Sequence, residues 1–329
     1  MGFLRLFLAI LVVLGHMDIN FFGRHLAVSA VVVFYVLAGH VVSRLWRDAH
    51  EANAVKRAVG FYKDRALRIF PLYLTVMLFA TVMWVAGANS IFISQAPSLG
   101  TWLSNLFVIP LNYYMFTGID SFTLVPPAWS LGAELQFYLL VPLLLSFRIA
   151  AVGFGIATFT VYMLAQMGLL NADYFGYRLL AGVGFIFLLG TLVGRPEFYS
   201  RLVLWGAWLA SVVYSVYLLA IDSSVLFNLD VALGFAFGLP ILQAFLNSPK
   251  CGLFHRLQRR AGEISYGVFL FHFPVMWLLQ LFGYEGKPTA IAVVLISSAL
   301  AWLAHTVIER PIWKRLRPVI KGPESSLQQ

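Results

Sequence analysis

The chain has 329 residues, of which 60% are hydrophobic and 11% are charged, and its formal net charge is +9. A soluble domain has roughly a quarter of its residues charged, so this composition excludes an ordinary soluble protein and indicates a chain that folds in a lipid bilayer. Basic residues in such proteins set orientation, which makes nucleic-acid binding a poor explanation of the charge. Cys251 is the only cysteine, which excludes an intrachain disulfide, a cysteine-rich zinc site and a CxxC redox pair.

Ten apolar segments approach or exceed the roughly 20 residues that a membrane-spanning helix needs. They are residues 4–19, 27–45, 68–86, 129–147, 150–168, 179–194, 203–221, 229–247, 264–282 and 289–308, and the first and sixth are short by this rule. The sequence therefore predicts an all-α fold, a polytopic membrane helix bundle with about ten transmembrane helices. No repeat or long linker divides it, so we expect one membrane domain over 1–317 and a polar, disordered cytoplasmic tail over 318–329.

A further apolar segment, 101–118, is interrupted by two asparagines and a proline. If the N-terminus is cytoplasmic and this segment does not span, 20 of the 23 lysines and arginines face the cytoplasm, and only Arg24, Arg178 and Lys287 do not. If it spans, the distribution loses this asymmetry, against the positive-inside rule. We therefore predict that both termini are cytoplasmic and that 101–118 is an interfacial or re-entrant part of an outer loop, 87–128.

Few ionisable residues lie in the predicted spans, and each is a candidate for function because charge is costly in hydrocarbon. They are His16, His40, Glu134, His272 and His305, with Arg5, Arg65, Arg68 and Glu309 near the cytoplasmic surface. For His40, His272 and His305 a structural role is the simpler interpretation.

His16 and Glu134 are predicted to reach similar depths from opposite sides. Arg5 marks the cytoplasmic end of the first span, and His16 lies about 16 Å further along the helix. The fourth span enters from the other side, which brings Glu134 to a comparable level with Ser130 on the same helix face. One interpretation is that His16 is a catalytic base and Glu134 is the carboxylate that supports it. The alternative is a headgroup carboxylate favoured by the helix dipole, beside a histidine that only bonds a backbone carbonyl.

Basic residues crowd the segment 56–74, where Arg65 and Arg68 share a helix face just before the third span. Paired guanidinium groups suit phosphate well. The pattern fits a lipid headgroup and a phosphorylated ligand equally.

Four motifs occur in order along the chain. They are Arg-x10-His in RLFLAILVVLGH (Arg5, His16), Arg-x-x-Arg in FYKDRALRIFPLY (Arg65, Arg68), Trp-Ser-Leu-x-x-Glu-x-x-Phe-Tyr in PAWSLGAELQFYLLVP (Ser130, Glu134) and the histidine segment ISYGVFLFHFPV (His272). Together they resemble the acyltransferase 3 family of integral-membrane O-acyltransferases. One departure is VFYVLAGH in the second span, where Ala38 and His40 replace the family's Ser and Phe. His40 either alters the fit of the donor or pairs locally.

The resemblance implies transfer of an acyl group, usually acetyl, from cytoplasmic acyl-CoA to a hydroxyl, usually of a sugar in a cell-surface or exported glycan, on the extracytoplasmic side. It implies that Arg65 and Arg68, with Arg5 as an anchor or helper, hold the donor. No metal is expected, and the expected location is a cell membrane, in bacteria the inner membrane. Some relatives append an extracytoplasmic hydrolase-like domain, and we expect this chain to be the membrane part alone.

Within this reaction His16 is the candidate general base, because imidazole accepts a proton near neutral pH. Glu134 is expected to support His16, and Ser130 to position the acceptor hydroxyl. A covalent acyl-Ser or acyl-His step stays open as an alternative.

Two other classes of function compete with the enzyme. One is a proton-coupled transporter or exporter with a buried His/Glu relay, although matching Gly/Pro-interrupted segments in the two halves are not found. The other is a catalytically silent scaffold or sensor. Release of CoA thiol from acetyl-CoA in the presence of an acceptor separates the enzyme from both, whereas the acceptor, its hydroxyl and the acyl chain are not encoded in any motif.

Overall fold

The structure is a computed structural model that describes residues 1–19, 23–24, 26–49, 51–247 and 252–316. The tail predicted to be disordered, 318–329, lies outside the described residues, as does the domain boundary at 317. Within the described part the regular structure is helical and no strand is formed, which confirms the predicted all-α class.

The described chain forms thirteen α-helices, joined in places by short 3-10 and π-helical turns. They are α1 (Gly2–His16), α2 (Leu26–Asp48), α3 (Ala54–Val85), α4 (Leu99–Phe107), α5 (Tyr114–Thr117), α6 (Ala128–Ser146), α7 (Arg148–Gln166), α8 (Leu180–Gly190), α9 (Phe198–Ala220), α10 (Asn228–Leu246), α11 (Gly252–Leu281), α12 (Ala290–Ala304) and α13 (Arg310–Leu316).

Eight helical segments of the described residues have the length and composition to cross a bilayer, and two more, Gly2–His16 and Tyr174–Gly190, are shorter and apolar. These ten correspond to the ten predicted spans, and the two short ones are those predicted to be short. The polytopic helical bundle is therefore confirmed, with eight of the ten predicted spans long enough to cross a bilayer.

Two helices begin well before the apolar segments that predicted them. α3 starts at Ala54 behind an Asn53 cap, whose side-chain oxygen accepts from the backbone N–H groups of Val55 and Lys56 at 3.0 Å. Likewise, α11 starts at Gly252. Hydropathy detects only the apolar part of a helix, whereas the helix continues until a cap or breaker ends it. Arg65 and Arg68 consequently lie within a continuous helix.

α1 and α2 occupy the centre of the bundle. α1 packs on α11 and α2, and α2 packs in turn on α8 and α10. The contact of α2 with α8 needs glycine, because a Cβ at Gly39 would lie 1.9 Å from the Phe187 carbonyl oxygen and one at Gly190 would lie 2.2 Å from that of Val36. Small residues that allow such close approach are the usual means of joining helices in lipid.

The segment 101–118 is broken into α4, a 3-10 turn (Ile109–Tyr113) and α5, so it is not a spanning helix, as predicted. Its asparagines are buried and fasten it inward. Asn105 donates to the Phe122 carbonyl at 3.0 Å, and Asn112 donates to the Trp129 carbonyl at 3.1 Å. Buried amides are retained because hydrogen bonds satisfy them.

The start of α6 was predicted to lie near the outer membrane surface, and in the structure it lies inside the protein. Residues 122–128 are all buried. Gly132 packs so closely on the folded loop that a Cβ there would be 2.9 Å from the Val108 carbonyl oxygen. The folded loop therefore covers the beginning of α6.

Candidate active site

A cavity of about 320 Å³ lies between α1, α2, α3, α6, α11 and α13. Five of the six predicted site residues line it: Arg5, Arg65, Arg68, Ser130 and Glu134. We call this space the arginine cavity. The rest of its wall is largely aromatic and aliphatic, with Phe34, Tyr35, Tyr138, Tyr266, Phe269 and Trp313 among the lining side chains. His16, the sixth predicted residue, does not line the cavity.

The three arginines of the cavity differ in their partners. Arg68 forms an ion pair with the buried Glu309, and Arg65 lies 2.5 Å from the Asp64 carboxylate. The Arg5 guanidinium makes no hydrogen bond with any described residue, and its charge interacts with that of Glu134. Two arginines are therefore held by fixed counter-ions, and Arg5 keeps its donors available to a bound anion.

Glu134 and Ser130 are engaged by neighbours on their own helix. The Tyr138 hydroxyl, one turn after Glu134 on α6, donates to the Glu134 carboxylate. The Ser130 hydroxyl donates to the Pro127 carbonyl at 3.0 Å, which leaves the lone pairs of its oxygen for another donor. Tyr138 was missed in the sequence, although its spacing of four residues from Glu134 places both on one helix face.

The expected meeting of Glu134 with His16 is not among the contacts of the described residues. Glu134 shares the cavity with Arg5, which is about 16 Å from His16 along α1. The expectation assumed that α6 enters at the membrane surface. Glu134 lines the arginine cavity and His16 does not, so the structure groups Glu134 with Arg5 and not with His16.

The partner of His16 in the structure is His272. His16 Nδ1 lies 3.0 Å from His272 Nε2, and the two rings are nearly parallel with centroids 5.1 Å apart. His272 is fully buried on α11, and the ring of Phe273 lies beside both histidines. In the sequence a structural role was the simpler interpretation of His272, and no pattern indicated its contact with His16, which is 256 residues away.

The partners of His272 determine which nitrogens carry protons when both rings are neutral. His272 Nδ1 lies 2.7 Å from the Phe269 carbonyl oxygen, which can only accept, so this nitrogen is the donor. Its Nε2 must then accept the proton of His16 Nδ1. The Nε2 atom of His16 then carries a lone pair that accepts from no described residue, and His16 is exposed. That arrangement prepares His16 to accept a proton.

The remaining two candidate histidines pair locally. His40 is buried, does not line the arginine cavity, and places Nδ1 3.0 Å from the Val193 carbonyl oxygen. His305 places Nδ1 2.9 Å from Glu309, the ion-pair partner of Arg68. His40 thus has a backbone partner outside the cavity, and His305 belongs to the charge network of Arg68 and Glu309.

Comparison with known proteins gives a consistent result. The family described as an acyltransferase domain (acyltransferase 3) matches residues 1–307. An uncharacterised protein of Aquifex aeolicus (strain VF5) is 31% identical over 198 residues, which is 58% of this chain and 88% of that protein. Nodulation protein 10 of Rhizobium leguminosarum bv. viciae is 24% identical over 307 residues, which is 86% of this chain and 82% of that one.

The putative peptidoglycan O-acetyltransferase YrhL of Bacillus subtilis (strain 168) is 25% identical over 346 residues, which is 94% of this chain and 54% of that protein. No solved structure matches the chain. The family match covers nearly the whole sequence and includes all four motifs. This multi-pass membrane protein therefore belongs to the acyltransferase 3 family.

Proposed function

We propose that the protein is an O-acyltransferase that moves an acyl group, most simply acetyl, from acyl-CoA to a sugar hydroxyl of a glycan. Family membership supports acyl transfer, and the relative YrhL carries the name of a peptidoglycan O-acetyltransferase. The observation that carries the proposal is the arrangement on α1. One end presents Arg5 to the arginine cavity, and the other presents His16 to His272.

The arginine cavity suits the nucleotide end of the donor. Arg5, Arg65 and Arg68 would hold its phosphates, since guanidinium groups bind phosphate oxygens through planar, paired donors. The aromatic and aliphatic wall would accept the less polar arm that carries the thioester. Phe269 lines this wall, and its carbonyl oxygen accepts a hydrogen bond from His272. A single residue therefore connects the wall of the cavity to the pair of histidines.

His16 acts as the general base in this reaction. The acceptor hydroxyl oxygen attacks the thioester carbonyl carbon while His16 Nε2 takes the hydroxyl proton. A C–O bond forms, the C–S bond breaks, and the departing thiolate recovers the proton from the His16 imidazolium. His272 holds the His16 ring by the Nδ1 to Nε2 hydrogen bond, and the Phe269 carbonyl holds His272.

Glu134 takes a different role from the one expected in the sequence. With Tyr138 bonded to it and Arg5 beside it, the carboxylate balances the arginines and orients them toward the donor. Ser130 lines the same cavity, and its free oxygen lone pairs would accept from a hydroxyl or an amide N–H of bound substrate.

The proposed orientation places both chain termini and the donor on the cytoplasmic side and the acceptor on the opposite side. Two of the three cations assigned to that opposite face meet the His16 end of α1. The Lys287 ammonium lies 3.1 Å from the Asp18 carboxylate, two residues after His16, and Arg178 interacts electrostatically with His16. Cysteines at the two ends of α3 test the orientation in a Cys251→Ser background. Asn89→Cys should react with an impermeant thiol reagent added outside cells and Ala52→Cys should not, and the reverse pattern would refute it.

The deciding experiment is His16→Ala in purified protein, with CoA thiol release from acetyl-CoA measured in the presence of an acceptor glycan fraction. Loss of a general base typically costs about 10²–10⁴-fold in rate, while binding of acyl-CoA should persist because the arginines are untouched. His255→Ala removes an exposed histidine of α11 and serves as the matched control. A folded His16→Ala protein with the activity of the parent would refute the mechanism.

A further inference from the structure

Arg178 is a cation enclosed by aromatic rings near the His16 end of α1. It ends the π-helical turn Tyr174–Arg178 between α7 and α8, and single π-turns occur often at functional sites. Its guanidinium carbon lies 4.6 Å from the ring centroid of Trp129, 5.2 Å from that of Tyr177 and 5.6 Å from that of Tyr114. We call this arrangement the Arg178 box.

One edge of the Arg178 guanidinium is paired with a carboxylate, and the other edge is partly accessible to solvent. Nε donates to the Asp173 carboxylate at 2.7 Å, and the terminal N–H groups make no hydrogen bond with any described residue. The Arg178 side chain is 18% exposed, so these groups are accessible although the rings hold the side chain in place. A rigid guanidinium with two free amino groups has the geometry of a bidentate site for a carboxylate or phosphate.

The box is joined to the site already described. The Asn112 amide lies 3.1 Å from the carbonyl oxygens of both Trp129 and Arg178, and it thereby ties α6 to the π-helical turn. Trp129 directly precedes Ser130, which lines the arginine cavity. Arg178 is also close enough to His16 for the two side chains to interact electrostatically. The box and the catalytic base therefore belong to one region of the protein.

We propose that Arg178 binds an anionic group of the acceptor, a carboxylate or a phosphate, while the acceptor's sugar ring stacks on Trp129 or Tyr114. This rests on the proposed function and narrows its acceptor to an acidic glycan. A cation that only anchors the chain at the surface would have a solvent-exposed environment, and Lys287 shows it. Its ion pair with Asp18 is open to solvent, with side chains 59% and 78% exposed.

Binding of three small probes to the full-length protein in lipid nanodiscs, without donor, tests this proposal. The probes are methyl β-D-glucuronide, glucose 1-phosphate and the neutral methyl β-D-glucoside. The parent should bind at least one of the anionic probes about tenfold more tightly than the neutral one, the effect of a charge-assisted hydrogen bond. Whichever probe binds tighter distinguishes carboxylate from phosphate.

Arg178→Gln should erase the preference for the anionic probe, Arg178→Lys should keep only part of it, and Lys287→Gln should behave as the parent. Equal binding of all probes by the parent, no measurable binding of any, or an unchanged preference in Arg178→Gln would each overturn the proposal. If Arg178→Gln does not fold, the ranking by the parent and by Arg178→Lys decides, since an unchanged preference in Arg178→Lys contradicts a bidentate site. No transfer occurs in this assay, so its failure is separate from a failure of the His16→Ala test.

Discussion

The two ends of α1 differ in the kind of polar side chain that they place in this apolar protein. At the Arg5 end the side chains are charged and mostly paired, Arg68 with Glu309 and Arg65 with Asp64. At the other end His16 and His272 hydrogen-bond to each other and finally to a backbone carbonyl, with the Phe273 ring 5.0 Å from that of His16.

The difference follows from the cost of burying charge. An arginine in the interior stays ionised and needs a counter-ion, so the Arg5 end is stable only with carboxylates beside it or a bound anion. An imidazole can be neutral and needs only hydrogen bonds, so the pair of His16 and His272 needs no counter-ion. We infer that the first end binds charge and the second end moves protons.

The largest expected effect on this comparison is that of His272→Phe, which removes the hydrogen bond to His16 but keeps an aromatic ring. We expect the turnover rate to fall about 10²-fold, as for a misplaced catalytic group, with the KM for acyl-CoA unchanged. His272→Gln should recover part of the rate, because its amide oxygen can accept from His16 Nδ1. Steady-state kinetics of thiol release measure both.

The double variant His16→Ala/His272→Phe should be scarcely slower than His16→Ala alone. If the two residues act as a unit, the first substitution already removes their joint function and the second adds little. Losses that multiply would show that His272 does not act through His16. A raised KM for the donor in His272→Phe would instead place His272 in the donor site.

At the Arg5 end of α1, substitution of Arg5 should mainly lower the affinity for acyl-CoA, and substitution of Arg68 should mainly lower the stability of the protein. Arg5→Ala removes donors that no described residue occupies, so the affinity for acyl-CoA should fall about tenfold or more with little change in thermal stability. Arg68→Ala leaves the buried Glu309 with His305 as its remaining ion-pair partner among the described residues. Loss of one partner of a buried pair costs about 3–5 kcal/mol, and the lower value is expected since Arg68 is partly exposed.

Binding isotherms and thermal unfolding in detergent measure the two effects for both variants. Arg68→Met/Glu309→Met removes the pair together and should recover stability relative to Arg68→Ala. If Arg5→Ala destabilises the protein as much as Arg68→Ala does, then Arg5 is a structural anchor and the donor is held elsewhere.

The smallest effect is expected for Glu134→Gln, which keeps the hydrogen bond from Tyr138 but removes the charge. Donor affinity should change by less than about tenfold, the range of a single charge-assisted contact. In the double variant the loss of kcat/KM for acyl-CoA should be the product of the losses in Glu134→Gln and His16→Ala, because distant sites act independently. An effect of Glu134→Gln that disappears in the His16→Ala background would restore the carboxylate as a partner of His16 and unite the two ends.

The sequence by itself was sufficient for the ten helices, the non-spanning segment 101–118 and the four motifs. Hydropathy reports the free energy of placing a segment in lipid, and that is a local property of the chain. The grouping of Arg5, Arg65 and Arg68 also followed, because all three lie where a predicted span meets the same membrane surface.

Only the tertiary structure decided which residues become partners. His272 meets His16 across 256 residues, and no local pattern encodes that distance. Glu134 lines the same cavity as Arg5, and the loop of Asn105 and Asn112 folds inward and buries the beginning of α6. Depth in a membrane protein depends on where each helix starts relative to its neighbours. That level is set by packing and by buried hydrogen bonds, which counting residues from an assumed surface cannot reproduce.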